Sequence, residues 1–269
     1  MSLRLNLMSG HSKWAQIKRK KAVTDAKRGA VFSKIAKEIM VAARLGGADP
    51  QANFRLRFAI EKAKENLVPQ NNIQRAIEKG AGTGDDGSRI EEIIYEGYGP
   101  GGTAIMVQCA TDNKNRTVSD LRSYFVKYHG KLAESGAVSW MFVKRGEIKI
   151  PNSMFKSQDA IYELAIEAGA RDIDFSDSEN AIIITKSEEL EKVQKNILAK
   201  NIKPSETQIL YSAKEHIEIS APDLAKNILK LMEMIEEHDD VQNVYSNFDI
   251  KDEILANLQE GLIKGREIV

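Results

Sequence analysis

The 269-residue chain contains one cysteine, Cys109. A single thiol excludes an intrachain disulfide framework, and a reducing cytoplasm is the expected compartment. No apolar run approaches the ~18 residues of a membrane-spanning helix. The opening MSLRLNLM is too short for a signal-peptide apolar region and lacks a small-residue cleavage site. The four histidines (His11, His129, His216, His238) are scattered, and none joins a cysteine or carboxylate at zinc-ligand spacing. Neither HExxH nor a nucleophile-elbow sequence occurs. The glycine cluster GYGPGG (Gly97 to Gly102) is followed by strand-like TAIMVQCA. It lacks both the helix N-terminus and the Lys-Ser/Thr pair of a phosphate loop, so it reads as a hairpin turn. Cys109 lies in that apolar strand and reads as a small buried hydrophobe. These absences leave enzyme chemistry without support, and no catalytic residue, metal, cofactor or small-molecule substrate is expected.

Net charge is balanced, with 39 basic and 39 acidic residues, but its distribution is not. Residues 1–80 hold 17 Lys+Arg and 6 Asp+Glu, a net of +11; the remaining 22 and 33 give −11. Such asymmetry points to a polyanionic partner for the basic part. The surplus peaks in GHSKWAQIKRKKAVTDAKRG, residues 10–29. There Lys13, Lys18, Arg19, Lys20, Lys21, Lys27 and Arg28 face one anion, Asp25. On an ideal helix Lys13, Lys20, Lys21, Lys27 and Arg28 fall within an arc of about 120°. The opposite side offers only Ala15, Ala22 and Ala26, with Val23 at its margin. Alanines bury little area, so order in this stretch is expected to depend on an anion that neutralises it. Trp14 fits either stacking on a base or anchoring the segment to the body. KRKK also resembles a nuclear-import cluster, which nothing else in the chain supports.

Beyond this arm, Phe32, Ile35, Ala36, Ile39, Met40 and Ala43 recur at helical spacing, and Gly46-Gly47 stops the helix. Asp49-Pro50 reads as the cap and first residue of a second helix, with Leu56, Ala59, Ile60 and Ala63 inward. After Pro69, Ile73, Ala76 and Ile77 carry a third helix to Gly80. AGTGDDGSR, residues 81–89, reads as a linker. Strands are then expected at 91–96, 103–110, 137–143, 146–150, 181–185, 206–211, 215–219 and 241–248. Helices are expected at 157–169, 187–200 and 222–237, and one follows the second strand with Val118, Leu121, Phe125 and Tyr128 on one face. This alternation predicts an α+β fold with helices on one face of the sheet, sufficient for two split β-α-β units. TDNKNRT (Thr111 to Thr117) leaves a strand and enters that helix. Its Asp and Asn suit capping, while Lys114, Asn115 and Arg116 are donors that could reach phosphates. Ile254, Leu255, Leu258, Leu262 and Ile263 place a helix in the tail, against the body or a partner.

Three long stretches, GHSKWAQIKRKKAVTDAKRG, FSKIAKEIMVAARLGGADPQANFRLRFAIEKAKENLVPQNNIQRAIEKG and YEGYGPGGTAIMVQCATDNKNRTVSDLR, resemble the YebC family, which includes bacterial YebC proteins and a mitochondrial translational activator. The resemblance runs from about Met8 to Ile250. It implies an N-terminal three-helix domain plus two ferredoxin-like α/β domains, one inserted in the other. The corresponding boundaries are a basic arm at 1–29, a helical domain at 30–80, an α/β domain at 81–135 and 206–250, an inserted α/β domain at 136–205, and a helical extension at 251–269. Relatives start near MSGHSKW, so the resemblance makes residues 1–7 an upstream extension; 251–269 run past the usual end. It further implies a cytoplasmic, non-enzymatic protein, described either as a DNA-binding transcriptional regulator or as a translation factor that relieves ribosome stalling at proline-rich stretches.

The expected function is a nucleic-acid-binding regulator of gene expression, contacting phosphates through Lys13, Lys18, Arg19, Lys20, Lys21, Lys27 and Arg28, with Trp14 and the Lys114-Asn115-Arg116 loop as further candidates. Lysines supply point charges without base readout. DNA with a transcriptional outcome, and ribosomal RNA or tRNA with the ribosome as partner, both remain open. A cationic arm with a tryptophan suits partly unstacked RNA, and no helix-turn-helix dimer logic favours a palindromic operator. Two other classes stay open: an enzyme in the cleft between α/β domains, needing a polar cluster with perturbed acidities, and a protein-interaction module built on the acidic C-terminal portion, needing an exposed apolar patch.

Overall fold

The computed structural model describes residues 25–82, 89–251 and 253–258. The fold is α+β, with a three-helix region and two ferredoxin-like α/β bodies, the second inserted in the first. The chain divides into two compact units, residues 142–212 and the remainder.

In the larger unit, α1 (Asp25–Gly46), α2 (Phe54–Glu65) and α3 (Gln70–Ala81) close around Ile35, Ile39, Ala42, Leu56, Ala59, Ala63, Ile73 and Ala76, all buried. α1 starts five residues before Ala30 and so includes the end of the basic stretch. Asp49-Pro50 does not begin α2. The Asp49 carboxylate accepts the Gln51 N–H in a local turn, and Asn53 is the cap. The Asn53 side-chain oxygen accepts the Leu56 N–H at 3.0 Å, while its amide donates to the carbonyls of Ala42 at 2.8 Å and Gly47 at 2.7 Å. One buried side chain therefore satisfies orphan groups at the end of α1 and the start of α2. α3 crosses α1 so closely that a Cβ on Gly80 would lie 2.7 Å from the Met40 Cα.

The sheet of this unit has the order β3-β1-β2-β9, from β1 (Glu91–Tyr98), β2 (Ala104–Thr111), β3 (Lys131–Ala133) and β9 (Val241–Ser246). GYGPGG forms the hairpin between β1 and β2, with Gly101 and Gly102 at positive φ. α4 (Lys114–Lys127) and α7 (Pro222–Glu237) cover one face, burying Leu121, Phe125, Ile228, Leu231 and Ile235 on Ile105, Val107 and Cys109. β8 (Ile217–Ile219) and β10 (Phe248–Ile250) pair in parallel. Residues 253–258 are helical, and Ile254, Leu255 and Leu258 pack on the same core. The tail thus returns to the body as far as it is described.

The smaller unit runs β4 (Phe142–Pro151), α5 (Gln158–Ala168), β5 (Asp172–Asp174), β6 (Asn180–Lys186), α6 (Leu190–Ala199) and β7 (Glu206–Ala213), with strand order β5-β6-β4-β7. This is the split β-α-β arrangement. Ile148, Ile150, Ile183, Ile161, Leu164, Val193 and Ile197 are buried in it.

Of the strand expected at 137–143, residues 137–141 are not strand. Ser139–Met141 is a 3-10 turn and β4 begins at Phe142. The cause is Glu96, whose buried carboxylate accepts the N–H groups of Gly136, Val138 and Ser139 at 2.7–2.8 Å and so removes them from any ladder. The strand expected over 241–248 is split at Asn247, whose side chain accepts the Ala104 N–H and whose carbonyl accepts the Ile217 N–H, both at 2.7 Å. Most of the linker expected at 81–89 lies outside the described residues.

Candidate nucleic-acid interface

Lys13, Trp14, Lys18, Arg19, Lys20 and Lys21 lie outside the described residues. Lys27 and Arg28 fall in the first turn of α1. Lys114, Asn115 and Arg116 open α4, and all three are exposed. The structure therefore brings the second group together on one helical turn. Asn113 caps that helix through its side-chain oxygen, which accepts the Arg116 N–H at 3.0 Å. Thr111 in turn accepts the Asn113 N–H at 2.9 Å.

The two cations of this turn have partners within the protein. The Lys114 ammonium pairs with Glu91 at 2.6 Å, both exposed. Arg116 Nη2 bonds the carboxylates of Asp112 at 3.0 Å and Asp240 at 2.9 Å. Asp240 is buried and is the centre of a cluster that sequence reasoning missed. Its Oδ1 accepts from Lys37 Nζ of α1 at 2.6 Å. Its Oδ2 accepts from Arg116, from Thr117 Oγ1 at 2.8 Å and from Thr111 Oγ1 at 3.1 Å. Burial pushes this carboxyl up, but the hydrogen bonds from Lys37, Arg116 and Thr117 outweigh it and hold the group well below the usual carboxylate range. Its charge is therefore fixed at neutral pH. The cluster fastens α1 and α4 to the end of β9, and it orients the loop that carries Lys114 and Asn115.

Four other cations of the helical region are likewise bonded. Lys34 donates to the Glu236 carbonyl, Arg44 to the Ile90 carbonyl, and Lys62 pairs with Glu38 at 2.8 Å. Arg55 forks onto Glu92, with Nη1 3.0 Å from Oε2. Glu92 also accepts from Gln108, which in turn accepts from Asn243 and Tyr245. Asp240 is 203 residues from Lys37 and Glu92 is 37 from Arg55, so no local pattern marks either pairing.

The thiol of Cys109 is fully buried, and burial pushes it up to about 12. It is not a nucleophile at neutral pH. Among the described residues no group of three or more His, Cys, Asp or Glu could hold a metal ion, and no helix is long and apolar enough to cross a membrane.

Residues 12–83 match the model of the TACO1/YebC protein N-terminal domain, and residues 90–248 that of the TACO1/YebC second and third domain. A probable transcriptional regulatory protein from Desulfotalea psychrophila is 48% identical over 253 residues, covering 94% of this chain and all of that one. Another of the same description from Dictyoglomus turgidum is 47% identical over 251 residues, again with full coverage of the relative and 93% of this chain. The crystal structure of a conserved hypothetical protein from Aquifex aeolicus superposes with a TM-score of 0.81 at 46% identity, over 90% of this chain and 99% of that one. The chain belongs to the TACO1/YebC family.

Proposed function

We propose that this protein is a non-enzymatic regulator of gene expression that binds nucleic acid through the basic stretch of residues 13–28, and that it acts on DNA as a transcriptional regulator; relatives named probable transcriptional regulatory proteins support the regulatory role. The observation that carries this reading is the segregation of charge, with seven cations against one anion in residues 10–29 of a chain of zero net charge. Lys13, Lys18, Arg19, Lys20, Lys21, Lys27 and Arg28 contact phosphates and release counterions. Lys114, whose pair with Glu91 is exposed and worth little, and Asn115, both on the turn that Asp240 orients, extend the surface. Trp14 supports a second reading, in which the polyanion is RNA on the ribosome and the outcome is translational, because an aromatic within a cationic segment suits unstacked bases.

The test is salt-dependent binding of the full chain to a DNA duplex and to single-stranded RNA, followed by co-sedimentation with ribosomes. Affinity is expected to fall with a log–log salt slope near −0.9 per phosphate contact on duplex or −0.7 on single strands. Replacing Lys18, Arg19, Lys20 and Lys21 by alanine removes up to four contacts and flattens the duplex slope by up to about 3.6. Tighter duplex binding supports the DNA reading, and tighter RNA binding with ribosome co-sedimentation supports the second. Absence of salt-dependent binding to either nucleic acid refutes both.

A further inference from the structure

We propose that Trp140 is a stacking platform for an unstacked base of single-stranded or looped nucleic acid, with Lys214 beside it as the phosphate contact. Three observations carry this. First, the indole is 64% exposed, which is unusual for the largest apolar side chain in a protein with a well-formed core. Second, its one polar group is already bonded: Nε1 donates to the Ala137 carbonyl at 3.1 Å. A partner therefore meets the ring face and not a hydrogen-bond donor, and a face without a free donor suits stacking. Third, the segment that holds it is braced from several sides. The Glu96 carboxylate accepts the N–H groups of Gly136, Val138 and Ser139. Burial pushes that carboxyl up, yet the three backbone N–H bonds hold it below its usual value, so it is charged at neutral pH. The Tyr98 hydroxyl donates to the same Ala137 carbonyl at 2.9 Å. Lys214 donates twice across the turn, Nζ to the Trp140 carbonyl at 2.6 Å and its backbone N–H to the Met141 carbonyl at 2.9 Å.

A side chain held this firmly has already lost the loop freedom that stacking would otherwise cost. The exposed Lys214 ammonium lies at the main chain of the same residue, so a cation and an aromatic face are presented together. That pairing is the composition of sequence-tolerant single-strand sites, where the ring takes a base and the ammonium a phosphate. In a duplex both faces of each base are occupied by their neighbours, so the platform discriminates in favour of unpaired segments.

This inference rests on the nucleic-acid reading above and adds where, and in what state, the bases are met. The chain has two tryptophans, Trp14 and Trp140. In a full-length Trp14→Phe background the only indole is Trp140, and its fluorescence reports its own environment. Titration with a mixed-sequence 16-nucleotide RNA is expected to quench that emission to saturation, whereas the same sequence annealed to its complement leaves it unchanged. Within this background Trp140→Ala is expected to weaken single-strand binding about 5- to 150-fold, as loss of one stacked base does, and Trp140→Phe to retain most of it. Circular dichroism and thermal unfolding of each variant confirm that the exposed ring was removed without loss of fold. Single-strand binding that is salt-dependent but insensitive to Trp140→Ala, with no quenching, overturns the platform and leaves the wider function standing. Quenching by duplex equal to that by single strand overturns the base-stacking mode. Quenching by a protein partner from the ribosomal fraction after nuclease digestion, without quenching by RNA, also overturns it and assigns the ring to protein recognition. If the chain binds no nucleic acid, platform and function fall together.

Discussion

Neutralising Asp240 tests the cluster on which the candidate interface is built. In Asp240→Asn one carboxylate oxygen becomes an amide N–H that faces a donor, either Lys37 at 2.6 Å or the set of Arg116, Thr117 and Thr111 at 2.8–3.1 Å. Removing one partner of a buried ion pair costs about 3–5 kcal/mol when the other is stranded. Here the stranded cations can reach water, since the Lys37 side chain is 18% exposed and that of Arg116 48%. The expected loss is therefore about 2–3 kcal/mol, the range of one or two charge-assisted hydrogen bonds. For a unit of this size that lowers the melting temperature by about 5–10 °C. Lys37→Ala is expected to cost less than Asp240→Asn, and Arg116→Ala least, about 0.5–1 kcal/mol, because the guanidinium is half exposed.

The pH dependence is the sharper test. A carboxyl held below its unfolded value contributes stability that is fully present above that value and is lost as pH falls toward the folded one. The difference between the protein and Asp240→Asn should be constant from pH 7 to about 5. It should then shrink below about pH 4, by at most ~1.4 kcal/mol per pH unit. Urea denaturation of both proteins at pH 7, 5, 4 and 3 measures it. A difference under about 0.5 kcal/mol at pH 7, or one that does not change between pH 5 and 3, refutes the account of Asp240 as a charged hub.

Gly80→Ala places a Cβ 2.7 Å from the Met40 Cα and is expected to destabilise by about 1–3 kcal/mol or more in chemical denaturation; trimming Met40 to alanine should not rescue it, since the clash is with main chain. Leu67→Gly is expected to stabilise by about 0.5–1 kcal/mol. Leu67 takes φ 58° at the left-handed position that ends α2 and is 83% exposed, so glycine relieves strain of about 1–2 kcal/mol, less the extra freedom it gains unfolded; a lower denaturation midpoint would contradict this. Cys109 should resist alkylation at pH 8 in the native protein and react only on unfolding, so a native rate near that of a free thiol would show that the strand is not closed over it.

The elements with a long apolar period were legible in the sequence. The α1 stripe of Ile35, Ile39 and Ala43 is buried as its spacing requires, and α7 spans Pro222–Glu237, the range its pattern sets. Short strands were not, because three residues carry no period: β3 and β5 exist through pairing with Glu96–Tyr98 and Ile182–Ile184. AVSWMF reads as a strand since it is mostly apolar, and becomes a turn because Glu96, 42 residues before Val138, takes the N–H groups of Val138 and Ser139. The same long-range effect moved the start of α2. Asp49-Pro50 is a sound local signal, and Asn53 displaced it because one side chain there closes two helix ends at once. Trp140 does not stand out in the sequence, since a tryptophan in an apolar run is ordinarily core. The Glu134-Ser135-Gly136 turn formers just before it were the signal available.

The charge asymmetry also takes a different meaning in the folded chain. A net of +11 over residues 1–80 suggests one basic surface. Yet Lys34, Lys37, Arg44, Arg55 and Lys62 each bond a carboxylate or carbonyl, and Lys37 and Arg55 reach Asp240 and Glu92 of the α/β body. Part of the acidic surplus in the rest of the chain is therefore the counterpart of part of the basic one, spent on fastening the helices to the sheet. Cations held by buried or half-buried carboxylates, as Lys37 and Arg55 are, add little to a salt slope, because displacing the bonded carboxylate offsets the gain of a phosphate. Phosphate binding therefore draws on residues 13–28 rather than on these five cations. It follows that alanine replacements in that stretch flatten the salt dependence while leaving the melting temperature unchanged, and that Lys37→Ala and Arg55→Ala do the reverse. Equal effects of both sets on both measurements would show that the two roles are not separate.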